Sequence, residues 1–131
     1  MGRSMQIGEV AERTSLSIRT VRHYDSVGLV VPSARSVGGF RLYTDSDVER
    51  LLVIRRMKPL DFTLAEMKEL LDALDILADE SSSDEERTSA AQFVDHCHNK
   101  TLERCETLRR HLAYGEEFAG LLAARKPVTG L

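Results

Sequence analysis

From Asp84 to Arg125 the chain has no proline, glycine first appears at Gly115, and Ala91, Val94, His98, Thr101, Cys105, Leu108 and Leu112 fall on alternating three- and four-residue steps. That spacing predicts one long helix with a narrow seam of apolar and weakly polar side chains. At about 1.5 Å of rise per residue such a helix reaches roughly 60 Å. A chain of 131 residues is near the size of one domain and has too little core to cover it. The seam is therefore expected to pair with a second copy as a coiled coil, which makes the protein a homodimer. The competing arrangement is a monomer whose helix folds back at Gly115.

Composition excludes other classes. Hydrophobic residues are 42% and charged residues 30% of the chain, too apolar for disorder, and no window approaches the roughly 18 uncharged apolar residues of a membrane span. Two cysteines and the lack of a secretory leader point to a reducing cytoplasm. Charge divides unevenly: residues 1–60 hold 10 Lys and Arg against 6 Asp and Glu, whereas residues 61–131 hold 8 against 15. A basic front and an acidic back suggest an anion-binding module joined to something else.

The front part carries the finer pattern. Ile7, Val10 and Ala11 recur at helical spacing up to about Arg13, and Thr14-Ser15 interrupts them. Ser17 then stands where its hydroxyl can cap a second helix, which runs through Tyr24 to a left-handed close at Gly28. Two short helices joined by a tight turn make a helix-turn-helix. Ala34 to Tyr43 reads as a hairpin in which Gly38-Gly39 supplies a two-residue turn. Thr44, with Asp45 and Asp47 behind it, caps a third helix striped by Val48, Leu51, Leu52 and Ile54. Thr63 to Glu66 forms the capping box of a fourth, striped by Leu64, Met67, Leu70, Leu71 and Leu74. The acidic, serine-rich residues 79–86 hold no apolar side chain and read as a loop. The expected fold class is thus mainly α with a small β-hairpin wing: a winged helix-turn-helix head plus a long C-terminal dimerisation helix.

Four segments in order go further: Ile7-Gly8-Glu9-Val10-Ala11, Ser17-Ile18-Arg19-Thr20-Val21-Arg22-His23-Tyr24-Asp25, Gly28-Leu29, and Gly38-Gly39-Phe40-Arg41-Leu42-Tyr43. Together they resemble the MerR family of bacterial transcriptional regulators, motif by motif over roughly residues 5–75. The resemblance implies a DNA-binding domain at 5–75, an acidic connection at 76–86, an antiparallel coiled-coil helix at 87–125 and a short tail at 126–131. It implies a homodimer that binds a pseudo-palindromic operator in double-stranded promoter DNA and bends and undertwists the spacer that RNA polymerase reads, so that the same bound dimer represses or activates transcription according to its effector state. Deformation of that kind is a form of indirect readout. Three positions depart from the family's pattern: Ser15 and the Pro59–Asp61 connection stand where Gly is common, and His23 replaces an aromatic.

A recognition helix needs short and cationic side chains at the end that enters the major groove. Ser17, Arg19, Thr20, Arg22, His23 and Tyr24 are the expected DNA-binding residues there, with Ile18 and Val21 in the core. In the wing, Arg41 and Tyr43 share one face of an alternating strand and Phe40 and Leu42 the other, so one pair packs and the other reaches phosphate. Arg41 is the strongest wing candidate, joined by Gly39, Phe40 and Tyr43; Arg35, Arg55, Arg56 and Lys58 extend the basic surface. Val94, His98, Thr101, Cys105, Leu108 and Leu112 form the expected dimer seam.

Sensing chemistry is sparse. Six residues after the long helix leave no room for an effector domain, and no cofactor is expected. Cys97 and Cys105 are eight apart, about 12 Å of helical rise, too far for one metal within a chain. Cys97, His98 and Cys105 become a thiol or metal site only across a dimer, and packing is the simpler role for them. A pocket between the fourth and long helices, near Met67 and Phe93, is the other place for a ligand. An architectural DNA-bending protein without effector shares the same head. No nucleophile, base and orienting group stand together, so an enzyme is not expected.

Overall fold

The computed structural model describes residues 4–127. The elements in order are β1 (Ser4–Met5), α1 (Ile7–Thr14), α2 (Ile18–Ser26), β2 (Ala34–Arg35), β3 (Arg41–Thr44), α3 (Asp45–Met57), a 3-10 turn (Lys58–Leu60), α4 (Leu64–Ala78) and α5 (Asp84–Arg125). Two compact units are present, one ending at Val94 and one beginning at Asp95. The expected tail at 126–131 lies outside the described residues beyond Pro127.

Local chemistry explains the helix ends. Ser17 accepts from the Thr20 amide, and Thr44 with Asp47 and Thr63 with Glu66 form reciprocal capping boxes. Both helices of the helix-turn-helix end alike. At α2 the amides of Gly28 and Leu29 bond back to Asp25 and Tyr24, with Gly28 at φ 74. At α1 the amides of Ser15 and Leu16 bond back to Glu12 and Ala11, with Ser15 at φ 56. The left-handed residue that this closure needs is thus a glycine in one helix and a serine in the other. Asp61, at φ 62, is the second non-glycine residue in that region among those described.

The sheet differs from the expected two-stranded hairpin. Its order is β1-β3-β2, antiparallel throughout, with Met5 opposite Tyr43 and Arg35 opposite Arg41. The strand before α1 is too short to leave a period-2 pattern in sequence. Nor is the turn a two-residue one. Ser36 and Phe40 close it, the Gly39 amide bonds to the Ser36 carbonyl, and Gly39 alone of the two glycines has positive φ. The loop therefore spans Val37 to Gly39, a three-residue connection with its left-handed residue last. Gly38 meets a close approach instead: a Cβ there would stand 3.3 Å from the exposed Phe40 ring, which would have to shift slightly.

Within the unit ending at Val94 the core gathers Val10, Val21, Leu29, Val30, Leu51, Ile54 and Leu71, all at most 5% exposed. Ile18, expected there, is 41% exposed, because it is the first residue of α2 and precedes the buried turn. Asp47 is buried but fully used: its Oδ2 accepts from the amides of Ser33 and Thr44 and from the Ser33 hydroxyl at 2.7–3.1 Å. One carboxylate thereby caps α3 and ties down the base of the wing. Arg50 clamps both oxygens of Asp75 at 2.8 Å, joining α3 to α4.

α5 begins at Asp84, where the unbroken stretch begins, and not after an acidic connection running to residue 86, since Ser83 and Glu86 form a capping box that the acidic run concealed. Those bonds from Ser83 hold the Glu86 carboxyl below its ordinary range, as bonds from Ser81 do for Asp79. Arg87 donates to the carbonyls of Leu77 and Asp79, capping the end of α4. The helix is continuous through Gly115, so it does not fold back there.

Candidate nucleic-acid interface

α2 is flanked by two grooves. On one side Arg19, Thr20, His23 and Tyr24 face Leu16, Arg55, Lys58 and Pro59 across the first groove. On the other, Arg22 and Asp25 share a groove with Gln6, Pro32 and the wing residues Phe40, Arg41 and Tyr43. Arg35 and Arg41 line a further hollow beside Pro32. The structure thus brings nearly every DNA-binding candidate into one surface centred on α2. Ser17 is at its N-cap and Gly39 at the tip of the wing.

Arg19 and Arg22 are exposed and make no hydrogen bond or ion pair among the described residues. Such guanidiniums are free to take phosphate or a base edge. Other cations are engaged. Arg55 donates to the Thr14 carbonyl at the end of α1, Arg35 to the Gly39 carbonyl at 3.2 Å, and Arg41 to Asp25 at 2.9 Å. Arg55 therefore holds the helix-turn-helix together as well as extending the basic surface, and Arg35 stiffens the wing loop. Lys58 and Arg56 are exposed.

The wing reverses one expectation. Tyr43 is 2% exposed and Phe40 71%, so Tyr43 is the packed residue and Phe40 the presented one. Met5 pairs with Tyr43 and is buried on the same face, and α1 and α3 pack on β3, while Phe40 falls in the loop before β3 begins. Tyr24 is also buried, and its ring lies 5.8 Å from that of His23. Burial raises the phenol pKa of both tyrosines above the ordinary value, and the Asp25 carboxylate adds to the effect at Tyr43.

The long helix distributes the seam candidates unevenly. Val94, Thr101 and Cys105 are half-buried, whereas His98, Leu108 and Leu112 are exposed. The Thr101 hydroxyl donates to the Cys97 carbonyl at 2.8 Å. Cys97 is buried, Cys105 half-buried, and neither forms a disulfide. Among the described residues no three His, Cys, Asp or Glu side chains gather as a metal set. The hollow between α4 and the start of α5 takes in Phe93, Ala73, Ile76 and Ala90 together with Glu69 and Asp72, but not Met67, which is buried. Among the described residues no helix is long and apolar enough to cross a membrane.

Sequence reasoning named the cations but not the acids that organise them. Asp25 and Asp47 act on partners more than a dozen positions away, and no local pattern marks such pairs.

A helix-turn-helix whose second helix lies between basic side chains and a three-stranded wing defines the winged-helix class of DNA-binding regulators. The profile of the MerR HTH family of regulatory proteins matches residues 5–74, and that of the MerR DNA-binding family matches residues 48–114. The chain belongs to the MerR family. The HTH-type transcriptional activator mta of Bacillus subtilis is 49% identical over 67 residues, 51% of this chain and 26% of that protein. The uncharacterized HTH-type transcriptional regulator PA4778 of Pseudomonas aeruginosa is 35% identical over 105 residues, 80% of this chain and 77% of that one. Among solved structures, the transcription regulator PbrR691 of Ralstonia metallidurans in complex with lead(II) is 33% identical with a TM-score of 0.53, covering 83% of each chain. The chain spans only about a quarter of the length of mta and of the TipA activators.

Proposed function

We propose that this protein is a homodimeric transcriptional regulator that binds a pseudo-palindromic operator in promoter DNA and changes the geometry of the spacer read by RNA polymerase. The observation that carries this reading is the pair of uncommitted guanidiniums, Arg19 and Arg22, on the exposed face of α2 between two grooves that hold Lys58 and Arg41. α2 enters the major groove, Arg41 and Phe40 lie along the flanking sugar-phosphate backbone, and Arg35, Arg55 and Lys58 add to the counterion-releasing contacts.

Two copies pair through α5, for which the exposed Leu108, Leu112 and Leu122 supply the contact surface. An antiparallel pair sets two heads apart, and operator symmetry then follows from protein symmetry.

Selection of duplexes from a random-sequence pool tests the reading. A regulator enriches one dyad-symmetric site and prefers it by about a thousandfold over unselected DNA. Arg22→Ala should cost about 1–3 kcal/mol of binding to that site while leaving the dimer intact. Failure to enrich any site, or an unchanged affinity for Arg22→Ala, would sink the assignment.

A further inference from the structure

Asp25 is an acid placed inside a surface built for an anion. It sits on the last turn of α2, three positions beyond Arg22, and lines the same groove as Arg22, Phe40 and Arg41. A bare carboxylate there repels phosphate and weakens binding. Its bond partner shows what it does instead. Arg41 Nη2 donates to Asp25 Oδ1 at 2.9 Å, with the carboxylate side chain 21% exposed and the guanidinium side chain 52%. Among the described residues that is the only hydrogen bond of the Arg41 side chain, so most of its five N–H donors remain available.

The pair joins two elements that sequence keeps apart, the end of α2 and the first residue of β3. A free arginine on an exposed strand samples many rotamers, and a phosphate must freeze them when it binds. An arginine already held by a carboxylate has lost that freedom in the unbound protein.

We infer that Asp25 is a positioning residue: it presets the Arg41 guanidinium beside Arg22, so that the two cations receive one backbone phosphate at the junction of recognition helix and wing. This rests on the DNA-binding reading above. The arrangement is carboxylate, guanidinium, phosphate in line, with Asp25 behind Arg41 and the phosphate in front. Two cations and one anion leave the groove with a single positive charge, which one phosphate balances.

The role makes a prediction whose sign is opposite to simple electrostatics. Asp25→Asn removes a negative charge from a DNA-binding surface, and if repulsion were all, binding would tighten. The positioning role requires that it weaken. The test is a double-mutant cycle on the full chain, read by fluorescence anisotropy with a duplex selected by the wild-type protein and with the unselected pool. Arg41→Gln should weaken binding about tenfold and lower the slope of log affinity against log salt by about 0.9 per head. Asp25→Asn should weaken binding about fivefold and lower the slope in the same direction, and Asp25→Glu should restore most of the loss. In the Arg41→Gln background, Asp25→Asn should instead leave affinity unchanged or tighten it about twofold, because only repulsion remains to be removed. Equal tightening by Asp25→Asn in both backgrounds overturns the positioning role while leaving the DNA reading intact. Unchanged affinity on Arg41→Gln, with no duplex enriched by the wild type, overturns both. Should Asp25→Asn lose its helical circular dichroism, Asp25→Glu and Arg41→Lys carry the test: the first must bind within about twofold of the wild type, and the second, which keeps the charge but not the fork, must bind more weakly.

Discussion

The unit that ends at Val94 closes a core of its own, whereas the unit that begins at Asp95 leaves its large apolar side chains open. Leu51 and Ile54 are fully buried in the first, while Leu112 and Tyr114 are each 63% exposed and Phe118 60% in the second. The first owes its stability to burial within the chain, and the second has apolar surface that nothing among the described residues covers. A single helix has no inside. Its stripe stays wet until a second helix packs against it. Stability of the head is then a property of one chain, whereas under the dimer proposed above order in the C-terminal helix becomes a property of concentration.

The largest effect is expected in the core of the head. Leu51→Ala should cost the head about 2–5 kcal/mol, seen as a lower urea midpoint that does not move with protein concentration. A concentration-dependent midpoint would mean that the head, too, is completed by a partner. Next in size is the open stripe. Leu112→Asp should weaken self-association about a hundredfold in sedimentation equilibrium, because a carboxylate is desolvated in the seam, with the head still cooperative in unfolding. If the oligomeric state stays as it was, the second unit is covered by something other than its twin.

Smaller effects sharpen the contrast inside the head. Ser15→Gly should raise its stability by about 0.5–1 kcal/mol, since Ser15 sits at φ 56 where Gly28 meets the same demand without a Cβ. A loss of stability there would show that the serine side chain matters more than the backbone. The smallest expected change is alkaline. Tyr24 and Tyr43 have phenol pKa values raised above the ordinary 10.0, by burial first. A raised folded-state value favours the neutral phenol, so this contribution is fully present below about pH 10 and is lost as pH rises through the folded pKa. Urea midpoints should hold from neutral pH to about 9 and then fall, and the fall should flatten in the Tyr24→Phe, Tyr43→Phe double variant. An identical fall in that variant would place the alkaline sensitivity elsewhere.

The parts legible in sequence were those whose physics is local. Ser17, Thr44 and Thr63 announced helix starts because a cap and the amide it serves lie within three residues. Gly28 announced an end for the same reason. Arg19, Arg22 and Arg41 were readable as site candidates, since a helix-turn-helix with a following hairpin fixes where such cations stand. The wing turn was misread: two consecutive glycines suit a two-residue turn, but Gly38 serves the approach of the Phe40 ring and only Gly39 the left-handed step. Alternation in Phe40 to Tyr43 gave the period of the strand without saying which face the helices would cover. Tyr43 went inside with its strand partner Met5, on a strand that α1 and α3 pack against.

By itself, then, the order of residues determined the helices, their caps, the long unbroken α5 and the basic character of α2, all of which follow from interactions within a turn or two of the chain. Only the tertiary structure decided that Asp47 binds the wing to α3, that Arg55 closes α1, and that Asp25 holds Arg41 beside the recognition helix. Those contacts join residues 14, 41 and 16 positions apart. A carboxylate carries no mark in sequence of the distant cation or amide it will meet; packing of the buried core brings the two within reach, and desolvation then makes the pairing matter.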